Sequence, residues 1–390
     1  MTQDIFIVGS GHSRFGRLDD NLESLIVGAA REAMQDAGVA GDQVDAVYLG
    51  HFNSGLVPDA FASSLIHQAD PGLRYKPATR CENACASGAA AIFAGMNAIL
   101  AGKADTVLVV GAEKMTSNST ADVTRALAGA GYQNDPAEAA LSFPQLFGIA
   151  ARQYTERYGD PLRAMARIAS KNHGNAMANP LAQMHRPMTV EECNTVSDRN
   201  PEIAPPLRLT DCSLITDGAA AIVLKSARAA AKAPRRVRFA GTGHVSDIMP
   251  MSQRDLLSFD GPRRAIAAAY AEAGVTVADL DFAEVHDCFT IAELLIYEAM
   301  GLTTAGQGER ALDEGIVLAG GRTPVNLSGG LKAKGHPVGA TGVSMHALAF
   351  RQLTGQAGEM QRKDADTGLV FNMGGAAVAN FASVLQADRA

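Results

Sequence analysis

Three short stretches of this 390-residue chain combine side chains that can attack a carbonyl carbon or move a proton. Cys85, in Cys85-Ala86-Ser87-Gly88, follows a short polar turn and precedes a run of small apolar residues at helical spacing. Backbone N–H groups at a helix N-terminus favour an anion, so this position is expected to lower the thiol's pKa. Gly88 and the alanines leave room for a substrate to reach the sulfur. The same position also suits a buried structural cysteine. His336, in Gly335-His336-Pro337, lies in a glycine-rich segment running from Asn326 to Gly342. Such a composition suits a shaped loop with its backbone near a ligand, or a turn whose histidine faces solvent. Lys332 and Lys334 there are either solvated charges or an attraction for an anionic ligand. The third stretch, His286-Asp287-Cys288-Phe289, stands between a strand pattern and the helical run from Thr290 to Met300. Strand ends in α/β folds often carry catalytic side chains. A histidine and a cysteine two apart can both transfer protons, or can be a satisfied histidine and a buried thiol. No Cys-x-x-Cys or His-Glu-x-x-His accompanies them, so no metal is expected.

The elements that must hold these residues occur twice. A helical pattern over 21–39 ends in Ala37-Gly38-Val39, and the strand Val44–Leu49 follows. The same order returns with Ala273-Gly274-Val275 and the strand Leu280–Val285, Val44-Asp45 aligning with Leu280-Asp281. Cys85 opens a helix to about Leu100, and Gly339-Ala340-Thr341-Gly342 opens another to about Leu353. Apolar strands follow each, Val107–Val110 and Leu369–Phe371. Two echoes in one order predict duplicated α/β halves with sheets covered by helices. The halves are placed at 1–225 and 235–390, joined near Lys232-Ala-Pro-Arg-Arg. A less regular stretch of about 115–209 is expected to be an insertion in the first half that lies over a site.

Composition narrows the function. With 47% hydrophobic and 19% charged residues the chain can bury a large core. A net charge of -7 argues against nucleic acid as a partner. No apolar run reaches the length of a membrane span, and no basic leader precedes the first strand. The five cysteines have no framework spacing and read as free thiols, as expected of a cytoplasmic protein.

Taken in order, the segments resemble the four catalytic loops of the thiolase superfamily. Cys85-Ala86-Ser87-Gly88 resembles its nucleophile loop, and Gly335-His336-Pro337 its histidine loop. His286-Asp287-Cys288-Phe289 resembles the second loop of the sterol-carrier-protein-2-type thiolases. Asn372-Met373-Gly374-Gly375 stands where many thiolases have Cys-x-Gly. Asp211–Ala221 also resembles the family segment before the second half. The resemblance covers nearly the whole chain. It implies a thiolase fold of two βαβαβαββ halves in a layered α-β-α-β-α arrangement. It implies reversible condensation and thiolysis of a 3-oxoacyl-CoA through acyl-Cys85. Cys85, His336, Cys288 and His286 would be catalytic, with Cys288 as the second thiol that the absent fourth-loop cysteine would otherwise supply. The N–H groups of Cys85 and Gly374 would form an oxyanion hole. Ser213 and Asn326 would contact substrate. Coenzyme A would be co-substrate, with no permanently bound cofactor. A homodimer or homotetramer is expected, and a small zinc-ribbon or oligosaccharide-binding-fold partner is open.

Three other readings share these residues. A decarboxylating ketoacyl synthase would use two histidines, such as His286 and His336, but has less use for Cys288. A steroid side-chain aldolase of related fold would not need Cys85. A non-catalytic acyl-CoA-binding scaffold would show no unusually reactive thiol.

Overall fold

Glycines spaced two apart bring each half's first helix down onto its first strand. The computed structural model describes residues 4–389. In it β1 (Ile5–His12) contains Gly9-Ser10-Gly11-His12 and packs against α1 (Leu22–Ala37). A Cβ on Gly9 would stand 2.5 Å from the Ala37 nitrogen, so only glycine permits the contact. The strand Val237–Ser246 repeats this with Gly241-Thr242-Gly243-His244 against the helix Asp260–Ala273, where a Cβ on Gly241 would meet the Ala269 carbonyl at 2.1 Å. Both helices end on a left-handed glycine, Gly38 at φ 62 and Gly274 at φ 68.

The strands continue as β2 (Ala46–Gly50), β3 (Ala78–Cys81), β4 (Thr106–Glu113) and β5 (Gly218–Ser226); Val237–Ser246 is then β6, with β7 (Phe282–Val285), β8 (Thr367–Gly374) and β9 (Ala379–Ala387). They lie in the order β3-β2-β4-β5-β1-β6-β9-β8-β7. Reading inward from either edge gives the same succession, and the Ala283–Val325 bridge stands beside β7 as β3 stands beside β2. Within the sheet the halves join through the β1–β6 pairing of Phe6 with Arg238 and Ile7 with Val237. The duplication extends to hydrogen bonds. Asp45 Oδ2 accepts from the Asp105 and Thr106 amides, and Asp281 Oδ2 accepts from Asp366 and Thr367 in the same way.

The second helix is α2 (Ser87–Leu100), and its counterpart in the other half is Thr341–Leu353. These two pack on each other between the sheets, while α1 and the helix Asp260–Ala273 cover the outer faces. This is the layered α-β-α-β-α arrangement expected of the thiolase fold. Thr341–Leu353 is buried along nearly its whole length, and its polar side chains His346 and Ser344 are hydrogen-bonded there. The N-termini of the two central helices touch through glycine: a Cβ on Gly88 would lie 2.8 Å from the Gly339 carbonyl, and one on Gly342 would lie 2.3 Å from the Ala89 nitrogen. That contact presses the turn before α2 against the loop before Thr341, which carry Cys85 and His336.

Between β4 and β5 run α3 (Thr120–Ala128), α4 (Phe143–Tyr158) and α5 (Leu162–Ala176). Then Asp260–Ala273 is α6, Thr290–Ala299 is α7 and Thr341–Leu353 is α8. No helix among the described residues is long and apolar enough to cross a membrane.

Candidate active site

The nucleophile turn is built by Ser87, whose hydroxyl donates to the Ala84 carbonyl at 2.6 Å and accepts the Asn83 amide at 2.9 Å. Ala84 takes a left-handed φ of 48, an unusual conformation for a non-glycine that swings Cys85 out ahead of α2. The end of β8 lies on this turn, and a Cβ on Gly374 would stand 2.2 Å from the Asn83 carbonyl. Around the sulfur stand Phe52, Leu56, Met115, Val123 and Val338, an apolar wall drawn partly from α3.

The sulfur of Cys85 and a ring nitrogen each of His286 and His336 all lie within 4.8 Å of one another. The imidazoles meet edge to face with centroids 5.2 Å apart. Their hydrogen bonds fix which nitrogen carries the proton. Thr341 spends its only hydroxyl proton on the Pro337 carbonyl at 3.0 Å. It must therefore accept from His336 Nδ1 at 2.7 Å, which leaves Nε2 as a bare lone pair. At His286, Nδ1 faces the side-chain nitrogen of Asn372 at 2.9 Å. That nitrogen also donates to the Cys85 carbonyl at 3.2 Å, so it cannot be the amide oxygen. Nδ1 of His286 thus accepts, and the proton sits on Nε2, buried with no partner. One histidine offers a base and the other a donor. The spacing alone would suit a metal, but a protonated Nε2 is not a metal ligand.

Burial holds both rings neutral. It pushes His336 down to about 3, with the Lys334 ammonium adding to the effect, and His286 well below its usual value, with His336 adding. Burial also pushes the Cys85 thiol up to about 12, and the Glu113 carboxylate adds to this. The amides of Gly375 and of Cys85 itself pull it back down. This corrects the sequence expectation of a lowered thiol pKa. Desolvation outweighs the helix N-terminus here, though Cys85 is only half-buried and the solvent on its open side moderates the push.

The chain's relatives share this architecture throughout. Residues 5–228 match the family description "Thiolase, N-terminal domain", and residues 243–387 match "Thiolase C-terminal domain-like". The chain belongs to the thiolase family. An acetyl-CoA acetyltransferase of Methanothermobacter thermautotrophicus is 39% identical over 379 residues, covering 96% of this chain and 97% of that one. Sterol carrier protein 2 of Bos taurus is 31% identical, over 95% of this chain and 70% of its own. Among solved structures, the Ltp2-ChsH2(DUF35) aldolase superposes with a TM-score of 0.82 at 23% identity, over 99% of this chain and 98% of that one. Human mitochondrial 3-ketoacyl-CoA thiolase in complex with CoA gives 0.73 at 19%, with the same coverage. This thiolase is an acyltransferase, and coenzyme A is a substrate of its family.

Cys288 is buried on the His286 loop of the thiolase. Burial pushes its thiol well up, and the nearby Cys85 charge pushes it further. Two neighbouring thiols of this kind cannot both ionise. Between them in sequence, Asp287 accepts the Leu331 amide at 2.6 Å and the Asn172 side chain at 2.7 Å, tying this loop to the segment that leads into His336. Asn326, a sequence candidate for substrate contact, spends its amide inside the protein. Its oxygen accepts from the Val285 amide at 2.8 Å and its nitrogen donates to Glu293 at 3.0 Å. Ser213 is half-buried and donates its backbone N–H to the Cys288 carbonyl at 2.9 Å. Of the two sequence candidates for an oxyanion hole, Cys85 has its amide toward the sulfur; Gly374 supplies the close approach, and the second amide facing the sulfur is that of Gly375.

Several supporting residues escaped the sequence reading. Thr216 accepts the His336 amide at 3.0 Å. Glu113 accepts the amides of Phe52, Asn53 and Gly339 at 2.9, 3.0 and 2.9 Å, joining three loops beneath the site. Thr341 was visible in Gly-Ala-Thr-Gly at the start of the helix that follows the His336 loop. A cavity of about 410 Å³ opens beside the nucleophile turn, lined by Asn83, Ala84, Gly374 and Gly375 together with Arg80 and Met249. Neither histidine nor either thiol of the cluster is in its wall.

The neutral histidines carry a consequence for stability. His12, His173, His286, His336 and His346 are all buried with depressed pKa values, burial being the first cause in each. The unfolded chain binds their protons below about 6.5, the folded chain only near 3 to 4 where values are defined. Stability is therefore present above about 6.5 and is lost progressively as pH falls toward the folded values. Glu284, Asp287 and Glu298, raised by burial, and His51, where the Glu113 carboxylate outweighs burial, work the other way but are fewer. The thermal midpoint is expected to fall steadily between pH 7 and pH 5. A midpoint that is level across that range contradicts neutral burial of the five rings.

Proposed function

We propose that this thiolase cleaves a 3-oxoacyl-CoA with coenzyme A, and runs the reverse condensation, through an acyl group on Cys85. The observation that carries this is the opposed pair of neutral histidines at one sulfur: a bare Nε2 on His336 and an N–H on His286. In the cleavage direction the Cys85 thiol passes its proton to His336 Nε2 as the sulfur adds to the 3-oxo carbon. The amides of Cys85 and Gly375 stabilise the resulting oxyanion. The C2–C3 bond breaks, and its electrons pass into the thioester as an enolate. His286 Nε2–H donates to that enolate oxygen, and the Cys288 thiol protonates C2. Acetyl-CoA leaves, and the shortened acyl group stays on Cys85. A coenzyme A thiol, giving its proton to the Cys288 thiolate, then attacks acyl-Cys85; the departing Cys85 sulfur recovers its proton from His336.

The apolar wall of Phe52, Leu56, Met115 and Val123 is the expected seat of the acyl chain, and Ser213 of the pantetheine arm. Acetoacetyl-CoA is the first substrate to try, following the acetyl-CoA acetyltransferases among the relatives. The duplicated halves, at about 1–225 and 235–390, are expected to act as one unit in a cytoplasmic homodimer or homotetramer of lipid metabolism. The β3 edge, with unpaired backbone groups on its outer side, suits such self-pairing. A second protein is also open as a partner, since the Ltp2-ChsH2(DUF35) aldolase superposes on this chain.

Purified protein given acetoacetyl-CoA and coenzyme A should yield two acetyl-CoA, or cleave a longer 3-oxoacyl-CoA from a graded series. With coenzyme A withheld, an acyl group should be found on Cys85 by peptide mass spectrometry. If no chain length is cleaved but a hydroxyacyl-CoA or malonyl-CoA is consumed, the aldolase or synthase reading replaces this one.

A further inference from the structure

Asn372 sits near the end of β8, where many members of the family have a cysteine, and the tautomer of His286 turns on it. Its side-chain nitrogen is held by two acceptors, the Cys85 carbonyl at 3.2 Å and His286 Nδ1 at 2.9 Å. A backbone carbonyl can only accept, so the amide has one orientation. Its oxygen finds no partner, although the group is fully buried. Leaving a buried acceptor unsatisfied costs free energy. The reverse orientation would satisfy that oxygen with a proton on His286 Nδ1, but would set it against the Cys85 carbonyl. The nucleophile turn therefore chooses the orientation of Asn372, and Asn372 chooses the tautomer of His286.

We propose that Asn372 is a positioning residue that locks His286 in its Nε2–H form, so that the ring donates to the substrate's thioester oxygen as the enolate develops. The use made of that donor rests on the thiolase reading; the tautomer lock does not. His286 Nε2 is buried with no protein partner among the described residues. A preorganised donor is kept waiting for charge that appears only during reaction. The link to the Cys85 carbonyl makes one side chain hold both the nucleophile turn and the donor.

Nitrogen NMR of protein carrying 15N-histidine reads the tautomer directly, with the His286→Asn protein identifying which signals belong to His286. In the wild type Nδ1 should be the unprotonated nitrogen and Nε2 the protonated one. In Asn372→Asp a carboxylate faces Nδ1 and should draw the proton there; in Asn372→Ala both forms should be populated. A protonated Nδ1 in the wild type overturns the proposal. Kinetics supply the second arm. Asn372→Asp should lower kcat for thiolysis by about 100-fold, the usual effect of losing one oxyanion donor, with little change in KM. In the His286→Asn background, where an amide donates whatever faces it, the same change should cost less than about threefold. Equal losses in both backgrounds mean that Asn372 only supports the turn, and overturn the proposal. Acetylation of Cys85 by acetyl-CoA should fall much less than thiolysis in Asn372→Asp; an equal fall assigns the loss to the turn and overturns the proposal. A wild type that cleaves no 3-oxoacyl-CoA sinks the reaction and the donor's use together, while the nitrogen signals still decide the lock.

Discussion

Replacing Cys85 with alanine is expected to lower thiolytic turnover by about 10⁴-fold or more, with substrate binding largely retained. A covalent pathway loses both of its half-reactions when the nucleophile goes, and only positioning and oxyanion stabilisation remain. The environment of the sulfur makes a sharper claim about how it is activated. With the thiol pushed up to about 12 and His336 down to about 3, a resting thiolate–imidazolium pair is strongly disfavoured. The proton must move as the sulfur attacks, with the incoming carbonyl drawing charge into the Gly375 and Cys85 amides. Alkylation of the empty protein by iodoacetamide should therefore speed up about tenfold per pH unit from pH 7 to 9, as for an ordinary thiol below its pKa. A plateau across that range would mean a preformed ion pair. Labelling that falls on Cys81, the other half-buried thiol, rather than on Cys85 would remove the nucleophile assignment itself.

What could be read from the sequence was governed by how local each feature is. Helix ends at Gly38 and Gly274 were legible because a left-handed glycine is a one-residue signal. The duplication was legible from Val44-Asp45 and Leu280-Asp281, and those aspartates prove to make the same pair of amide bonds in each half. The clearest echo, Gly9-Ser10-Gly11-His12 against Gly241-Thr242-Gly243-His244, was equally present in the sequence but passed unread. Its meaning is the close seating of a helix on a strand. The direction of the Cys85 shift was not legible. A helix N-terminus is a local feature, whereas the burial that outweighs it comes from Phe52, Met115, Val338 and other segments far apart in the chain. The partners of Asn326, for which the resemblance implied a substrate contact, lie likewise on other elements, at Val285 and Glu293. Tautomers depend on partners such as Thr341 and Asn372, and only a folded chain brings Asn372 to His286.

Cys288→Ala is the second large effect, and it should divide the reaction in two. Exchange of labelled coenzyme A with acetyl-CoA moves no proton at C2, and the coenzyme A thiol can lose its proton to solvent when Cys288 is absent, so exchange should persist within a few-fold. Cleavage of a 3-oxoacyl-CoA needs a proton at C2 and should slow by about 100-fold or more. Exchange of deuterium from solvent into the methyl group of acetyl-CoA reads the same proton transfer in the opposite direction and should fall in parallel. Burial, and then the neighbouring Cys85, pushes the Cys288 thiol well up, which holds it protonated as the acid that cleavage requires. Normal cleavage and normal deuterium exchange in Cys288→Ala would make Cys288 a packing residue and assign the proton to another group. Loss of coenzyme A exchange as well would mean that the alanine has disturbed the Asp287 ties that hold this loop to His336.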